Sequence, residues 1–125
     1  MPQVHGAVKD TLSRVREIVE IELNSVTDNP LIFPEATGDD DCVVSAGNFH
    51  GMPIALALTQ LKCCIPVLAS ISERRLAKLV DPATNGGLPP FLIGNEDGTD
   101  SGHMIVQYTA AALVNELATK AHPAT

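Results

Sequence analysis

Residues able to do chemistry are thinly spread along this chain of 125 residues. The densest group is Ser45-Ala46-Gly47-Asn48-Phe49-His50-Gly51, which runs straight into a long apolar stretch. An amide, a ring and an imidazole follow one another there, and Gly47 and Gly51 relieve the steric limit on either side. A polar-aromatic tip at the start of a buried helix is a place where ligand sites form. The same arrangement also opens ordinary helices. Ser45-Ala46-Gly47 has the composition of an internal cyclisation triad, but the order is Ser-Ala-Gly.

Nothing else completes a catalytic or metal-ligating set. His5, His50, His103 and His122 are scattered, with no Cys or acid at ligand spacing. No phosphate loop or nucleophile elbow is present. Asp39-Asp40-Asp41 with Glu35 invites a calcium reading, but an EF-hand loop needs alternating ligands, a central Gly and a terminal Glu, so a solvated loop tip is expected. Cys42, Cys63 and Cys64 are odd in number and contain no CxxC. They read as reduced thiols, two of them buried as small hydrophobes.

Three helices must position these residues. The first should cover about residues 3–27: Val4, Val8, Leu12, Val15, Val19, Leu23 and Val26 recur at steps of three and four. Asp10 with Arg14 and Arg16 with Glu20 are opposite charges at i,i+4, worth a few tenths of a kcal/mol each. Pro30 disfavours helical geometry at Asn29, so the helix should stop near Asp28. Leu31-Ile32-Phe33 and Cys42-Val43-Val44 are β-prone runs that could pair as a small hairpin-like loop across 31–44.

The second helix should run over 52–80, with Pro53 in its first turn, where a missing N–H costs nothing. It is apolar on all faces as far as Ile71, so it has to be surrounded by other helices, and two companions within this chain are too few. Pro66 should kink it. A Gly- and Pro-punctuated loop follows, through Asn85-Gly86-Gly87-Leu88-Pro89-Pro90-Phe91. The third helix should cover 101–120, capped by Asp100 or Ser101, with Val106, Ala110, Leu113, Leu117 and Ala121 as its stripe. The fold class is therefore all-α, and the length fits one domain over 1–125.

Composition narrows the function classes. With no Trp and only Phe33, Phe49, Phe91 and Tyr108 as aromatics, the core must be aliphatic, which suits packed helices. A formal net charge of -7 and a pI near 4.8 exclude nucleic acid as an expected partner, since no basic patch exists to displace counterions. Met52 to Ile71 has the length of a membrane span. Lys62 at its middle would cost about 2.5–3.5 kcal/mol in lipid, so a buried helix of a protein core, not a span, is expected. No signal peptide pattern opens the sequence, and a cytoplasmic location is expected.

Five segments carry a resemblance. EIELNSVTDNPLIF (Glu20 to Phe33), SAGNFHGMPIA (Ser45 to Ala55), SISERRLAKLVDP (Ser70 to Pro82), GLPPFL (Gly87 to Leu92), and SGHMIVQYTAAALVNEL with AHPAT (Ser101 to Leu117, Ala121 to Thr125) resemble the histidine and aromatic amino-acid ammonia-lyases, in that family's order and at nearly its spacing. The resemblance covers almost the whole chain. It implies an all-α homotetramer built on a large shared helix bundle, with active sites assembled from several subunits. It also implies an electrophile, a methylidene-imidazolone formed autocatalytically from Ala-Ser-Gly, which lets a β-proton leave and ammonia be eliminated from a small-molecule amino acid. A barely acidic proton demands such an electrophile, a positioned base and exclusion of water.

The resemblance reaches only the middle of such an enzyme. The Ala-Ser-Gly triad, the base Tyr and the carboxylate-binding Arg have no counterpart in this sequence, so no catalytic set is complete and no cofactor is expected to be formed by this chain. Truncation is the expected account of the abrupt Met1-Pro2 start, and the chain alone should be inactive. By resemblance, Phe49 matches a pocket residue near the electrophile, or else is plain core. Asn48 supports its loop, and Asn29 of TDNP lies near the site or merely ends a turn. Met104 stands where phenylalanine-specific members often carry Lys and where histidine and tyrosine lyases tend to have Met. Ala46 replaces a usual Gly and His103 a frequent Phe, which keeps tyrosine or phenylalanine lyases and aminomutases open beside histidine lyase. A non-catalytic helical assembly protein is the rival from another class.

Overall fold

The computed structural model describes residues 1–35 and 42–123. Its elements are α1 (Pro2–Leu23), β1 (Leu31–Ile32), β2 (Val43–Val44), α2 (Met52–Val80), a 3-10 turn at Pro90–Leu92 and α3 (Met104–Lys120). The expected all-α class of three long helices and one small hairpin is thus the observed one. The Asp39-Asp40-Asp41 loop tip lies outside the described residues. Two compact units divide between Leu61 and Lys62, within α2.

In the first unit, α1 buries Val8 and Val15, one heptad apart on the expected stripe, at 8% and 4% exposure. Its end comes earlier than 27 for a local reason. The Asn24 side-chain amide donates to the Glu20 carbonyl and the Ser25 hydroxyl to the Ile21 carbonyl, each at 2.7 Å. These side chains satisfy the last free carbonyls and close the helix four residues short of the predicted end. Arg16 and Glu20 form their expected pair at 2.7 Å, whereas Asp10 and Arg14 are not an ion pair among the described residues. The strands pair antiparallel, Leu31 opposite Val44 and Ile32 opposite Val43. Phe33 extends the ladder by donating its N–H to the Cys42 carbonyl at 2.8 Å.

Helix α2 occupies its predicted range and continues through Pro66. Ala57 is buried at 1% exposure, but Leu56, Leu58, Ile65 and Val67 are exposed. By length and composition alone α2 could cross a membrane, and only 6% of its most apolar window is buried within the chain. The expectation that this helix needs more cover than its companions provide is met. None of the three cysteines is buried, contrary to the expectation for two of them. Cys42 and Cys64 are half-buried and Cys63 is exposed, because the described residues do not cover the faces on which they lie.

In the second unit, Glu73 on α2 is a buried carboxylate, 5% exposed. It accepts a bidentate pair from Arg74 and a bond from the Gln107 amide of α3 at 3.0 Å. Lys62 donates to the His122 carbonyl at 3.0 Å and so gains a protein partner just beyond the end of α3. Helix α3 starts at Met104, not 101. Asp100 caps no helix; its carboxylate accepts instead from the N–H groups of Gly94 (2.7 Å) and Gly102 (2.8 Å), folding the preceding loop. The inward face of α3 is also rotated from the predicted stripe. Gln107, Ala110, Val114, Leu117 and Ala121 are half-buried, while Val106 and Leu113 are exposed. Gln107 lies on that half-buried face and is the residue that bonds Glu73.

Candidate functional site

The last turns of α1 and the loop entering α2 border an open cavity of about 500 Å³ in the first unit. Val19, Glu22 and Leu23 reach it from α1, with Thr27 just after; Asn48, Phe49 and Gly51 come from the loop, Ile54 and Leu58 from α2. The size is that of a small-molecule site, and the lining is mostly apolar with few polar groups, as such sites are.

Local backbone chemistry sets this geometry. Gly47 abuts the main chain of Asp28 so closely that an added Cβ would overlap the Asp28 carbonyl oxygen and lie 3.0 Å from its carbon. A side chain at this position would push the loop off the turn that follows α1. Gly51 serves differently: its φ of +72° is the left-handed conformation, in open space, and the Ala55 N–H donates to its carbonyl at 3.1 Å to start α2. Between them Phe49 projects into the cavity mouth, 64% exposed.

Of the four residues singled out from sequence, Asn48 and Phe49 line the cavity. Asn29 does not. It is exposed, in the turn that Gly47 packs against, with its N–H donated to Asp28 Oδ1 at 2.8 Å and a cis bond to Pro30. Met104 is the half-buried first residue of α3, in the second unit. Sequence reasoning missed Val19 and Leu23 as cavity wall, although their i,i+4 spacing at the end of the α1 stripe was the signal. It also missed Glu22, the one ionisable group in the lining. Among the described residues the Glu22 carboxylate has no hydrogen-bond or ion-pair partner, unlike Glu20, Glu73 and Glu116.

Ser45-Ala46-Gly47 does not fit the electrophile implied by the resemblance. Ring formation of that kind removes a hydroxyl from the middle residue, which here is Ala46, and the Gly47 main chain is committed to its contact with Asp28. Among the described residues no three His, Cys, Asp or Glu side chains are grouped to hold a metal ion.

Residues 1–125 match the family model described as aromatic amino acid lyase. Over 124 residues the chain is 56% identical to histidine ammonia-lyase of Treponema denticola, covering 99% of this chain and 24% of that protein. It is likewise 56% identical to that of Bacillus subtilis, covering 99% and 23%. The histidine ammonia-lyase structure from Trypanosoma cruzi superposes with a TM-score of 0.86 at 46% identity, over 98% of this chain and 24% of that one. Tyrosine aminomutase from Streptomyces globisporus gives 0.81 at 40% identity, over 94% and 22%. The chain thus spans about a quarter of the length of the relatives it matches.

Proposed function

Since this chain belongs to the aromatic amino acid lyase family, we propose that it is the central helical segment, over 1–125, of an enzyme that eliminates ammonia from L-histidine to give urocanate. The observation that carries the reading is the identity above 50% to histidine ammonia-lyases along the whole chain. In this role the chain supplies core helices to a homotetramer in the cytoplasm, and the exposed apolar faces of α2 are covered by other helices of that bundle. The Lys62–His122 bond supports a protein surrounding over a lipid one.

Within the pocket this chain binds and orients; it does not supply the electrophile or the base, which come from other parts of the enzyme. Phe49 excludes water from one side of the substrate, which strengthens every polar interaction there. Asn48 offers its amide beside the ring and Asn29 shapes the turn on which that loop rests, while Met104, at the start of α3, is a substrate-selecting position by resemblance alone.

The likeness to tyrosine aminomutase at 40% identity supports a second reading, a tyrosine- or phenylalanine-directed lyase or aminomutase. A chimera in which this chain replaces the matching 124 residues of the Treponema denticola enzyme separates the readings. Urocanate formation supports the first, turnover of tyrosine or phenylalanine the second. A folded but inert chimera supports a non-catalytic helical assembly role.

A further inference from the structure

We infer that Asp100 is a positioning residue for substrate selection: its carboxylate ties together the two sides of the loop entering α3 and so fixes where Met104 stands. The inference rests on the lyase reading above, under which Met104 is a substrate-selecting position. Three observations within the second unit converge on the residues just before Met104. Asp100 accepts from the Gly94 N–H at 2.7 Å through Oδ2 and from the Gly102 N–H at 2.8 Å through Oδ1, so one carboxylate spans both sides of the loop. The His103 N–H donates to the Phe91 carbonyl at 2.7 Å, and a Cβ added at Gly102 would overlap that carbonyl oxygen. Phe91 and Leu92 hold φ at +52° and +57°, left-handed values that cost free energy in any residue with a Cβ. Strain of this kind persists only where the surrounding structure over-determines it, and it gathers where side chains are placed for ligands.

The loop also takes the place of a helix cap. His103, at the N-cap, makes no side-chain cap bond, and the Gln107 N–H donates to its carbonyl at 3.2 Å to begin α3. The helix therefore starts from a residue tethered to Phe91, and half-buried Met104 follows at once. Asp100 is itself exposed, so what it contributes is its two bonds and not packing. Asp97 offers the natural comparison: its Oδ1 accepts from the N–H and hydroxyl of Thr99 inside one turn and spans nothing.

Two readings test the inference. In the 125-residue chain, labelled at the methyl carbons of its three methionines, Asp100→Ala should move the Met104 NMR signal and Asp97→Ala should leave it in place. Asp100→Asn keeps one acceptor oxygen and should move it less. In the chimera, Asp100→Ala should raise KM about fivefold or more for whichever of L-histidine and L-tyrosine is turned over, the scale of a displaced pocket contact. A change that merely reduced the folded fraction would lower kcat and leave KM as it was. An unmoved Met104 signal in Asp100→Ala, or an unchanged KM in an active chimera, overturns the inference. Should Asp100→Ala fail to fold, Asp100→Asn decides on the same two readings. A parent chimera inert with both amino acids overturns the lyase reading and the selective role with it, while the methyl signal still decides whether Asp100 places Met104.

Discussion

Gly47 and Asp28 touch main chain to main chain, with no room for a Cβ between them. That contact seats the loop carrying Asn48 and Phe49 on the turn after α1, and so closes the cavity on one side. Gly47→Ala should therefore destabilise the fold by about 1–3 kcal/mol, as forced overpacking does. Gly51→Ala meets no atoms but must hold φ at +72°, and should cost about 1 kcal/mol. Thermal melts followed by circular dichroism rank the two. A Gly47→Ala variant as stable as the parent would mean that the loop is not held by the Asp28 contact.

Phe49 is largely exposed within this chain, so its truncation should cost little stability, about 0.5 kcal/mol or less. In the chimeric enzyme the same change is expected to lower kcat/KM at least about tenfold, since a pocket wall is lost. Turnover unchanged beside a large fall in melting temperature would reduce Phe49 to core packing.

Glu73 gives a pH dependence with a definite sign. The Arg74 hydrogen bonds hold its carboxyl below the ordinary range; burial opposes them, and the Gln107 bond adds to them. A carboxyl with a folded-state pKa below its unfolded value contributes stability that is full above the unfolded value and is lost as pH falls through the folded one. Glu73→Gln should lower the melting temperature near neutral pH and leave it less sensitive to acid than the parent. Parallel acid profiles for the two proteins would contradict that role.

The exposed apolar residues of α2, Leu56, Leu58, Ile65 and Val67 among them, make association of the isolated chain the expected outcome in sedimentation. Replacing Leu58 and Ile65 by Gln should shift the distribution towards smaller species. A dilute parent chain that sediments as a non-associating monomer would count against a bundle-core role for α2.

Much of this molecule could be read from local pattern. The range of α2 followed from Pro53 at its start and Asp81-Pro82 at its end, and the hairpin from two β-prone runs flanking a loop. Gly47 and Gly51 were marked for backbone reasons, and both have one, though different ones. What escaped was set by bonds that spacing does not encode. Asn24 and Ser25 ended α1 early by turning back on Glu20 and Ile21, and Asp100 spent its carboxylate on Gly94 and Gly102 instead of a cap. The half-buried face of α3 includes Gln107, whose partner Glu73 lies 34 positions away. Glu22 was invisible as cavity wall because its neighbours on the helix stripe, Val19 and Leu23, carry the periodicity and it does not.

We propose that these 125 residues are a middle portion of a histidine ammonia-lyase. The most direct measurement is the rise of urocanate absorbance when the chimera with the Treponema denticola enzyme is given L-histidine. Turnover within about tenfold of the parent enzyme is expected, because a chain 56% identical over 124 residues should preserve both the bundle packing and the pocket wall. A tetrameric, folded chimera that forms no urocanate would contradict the claim.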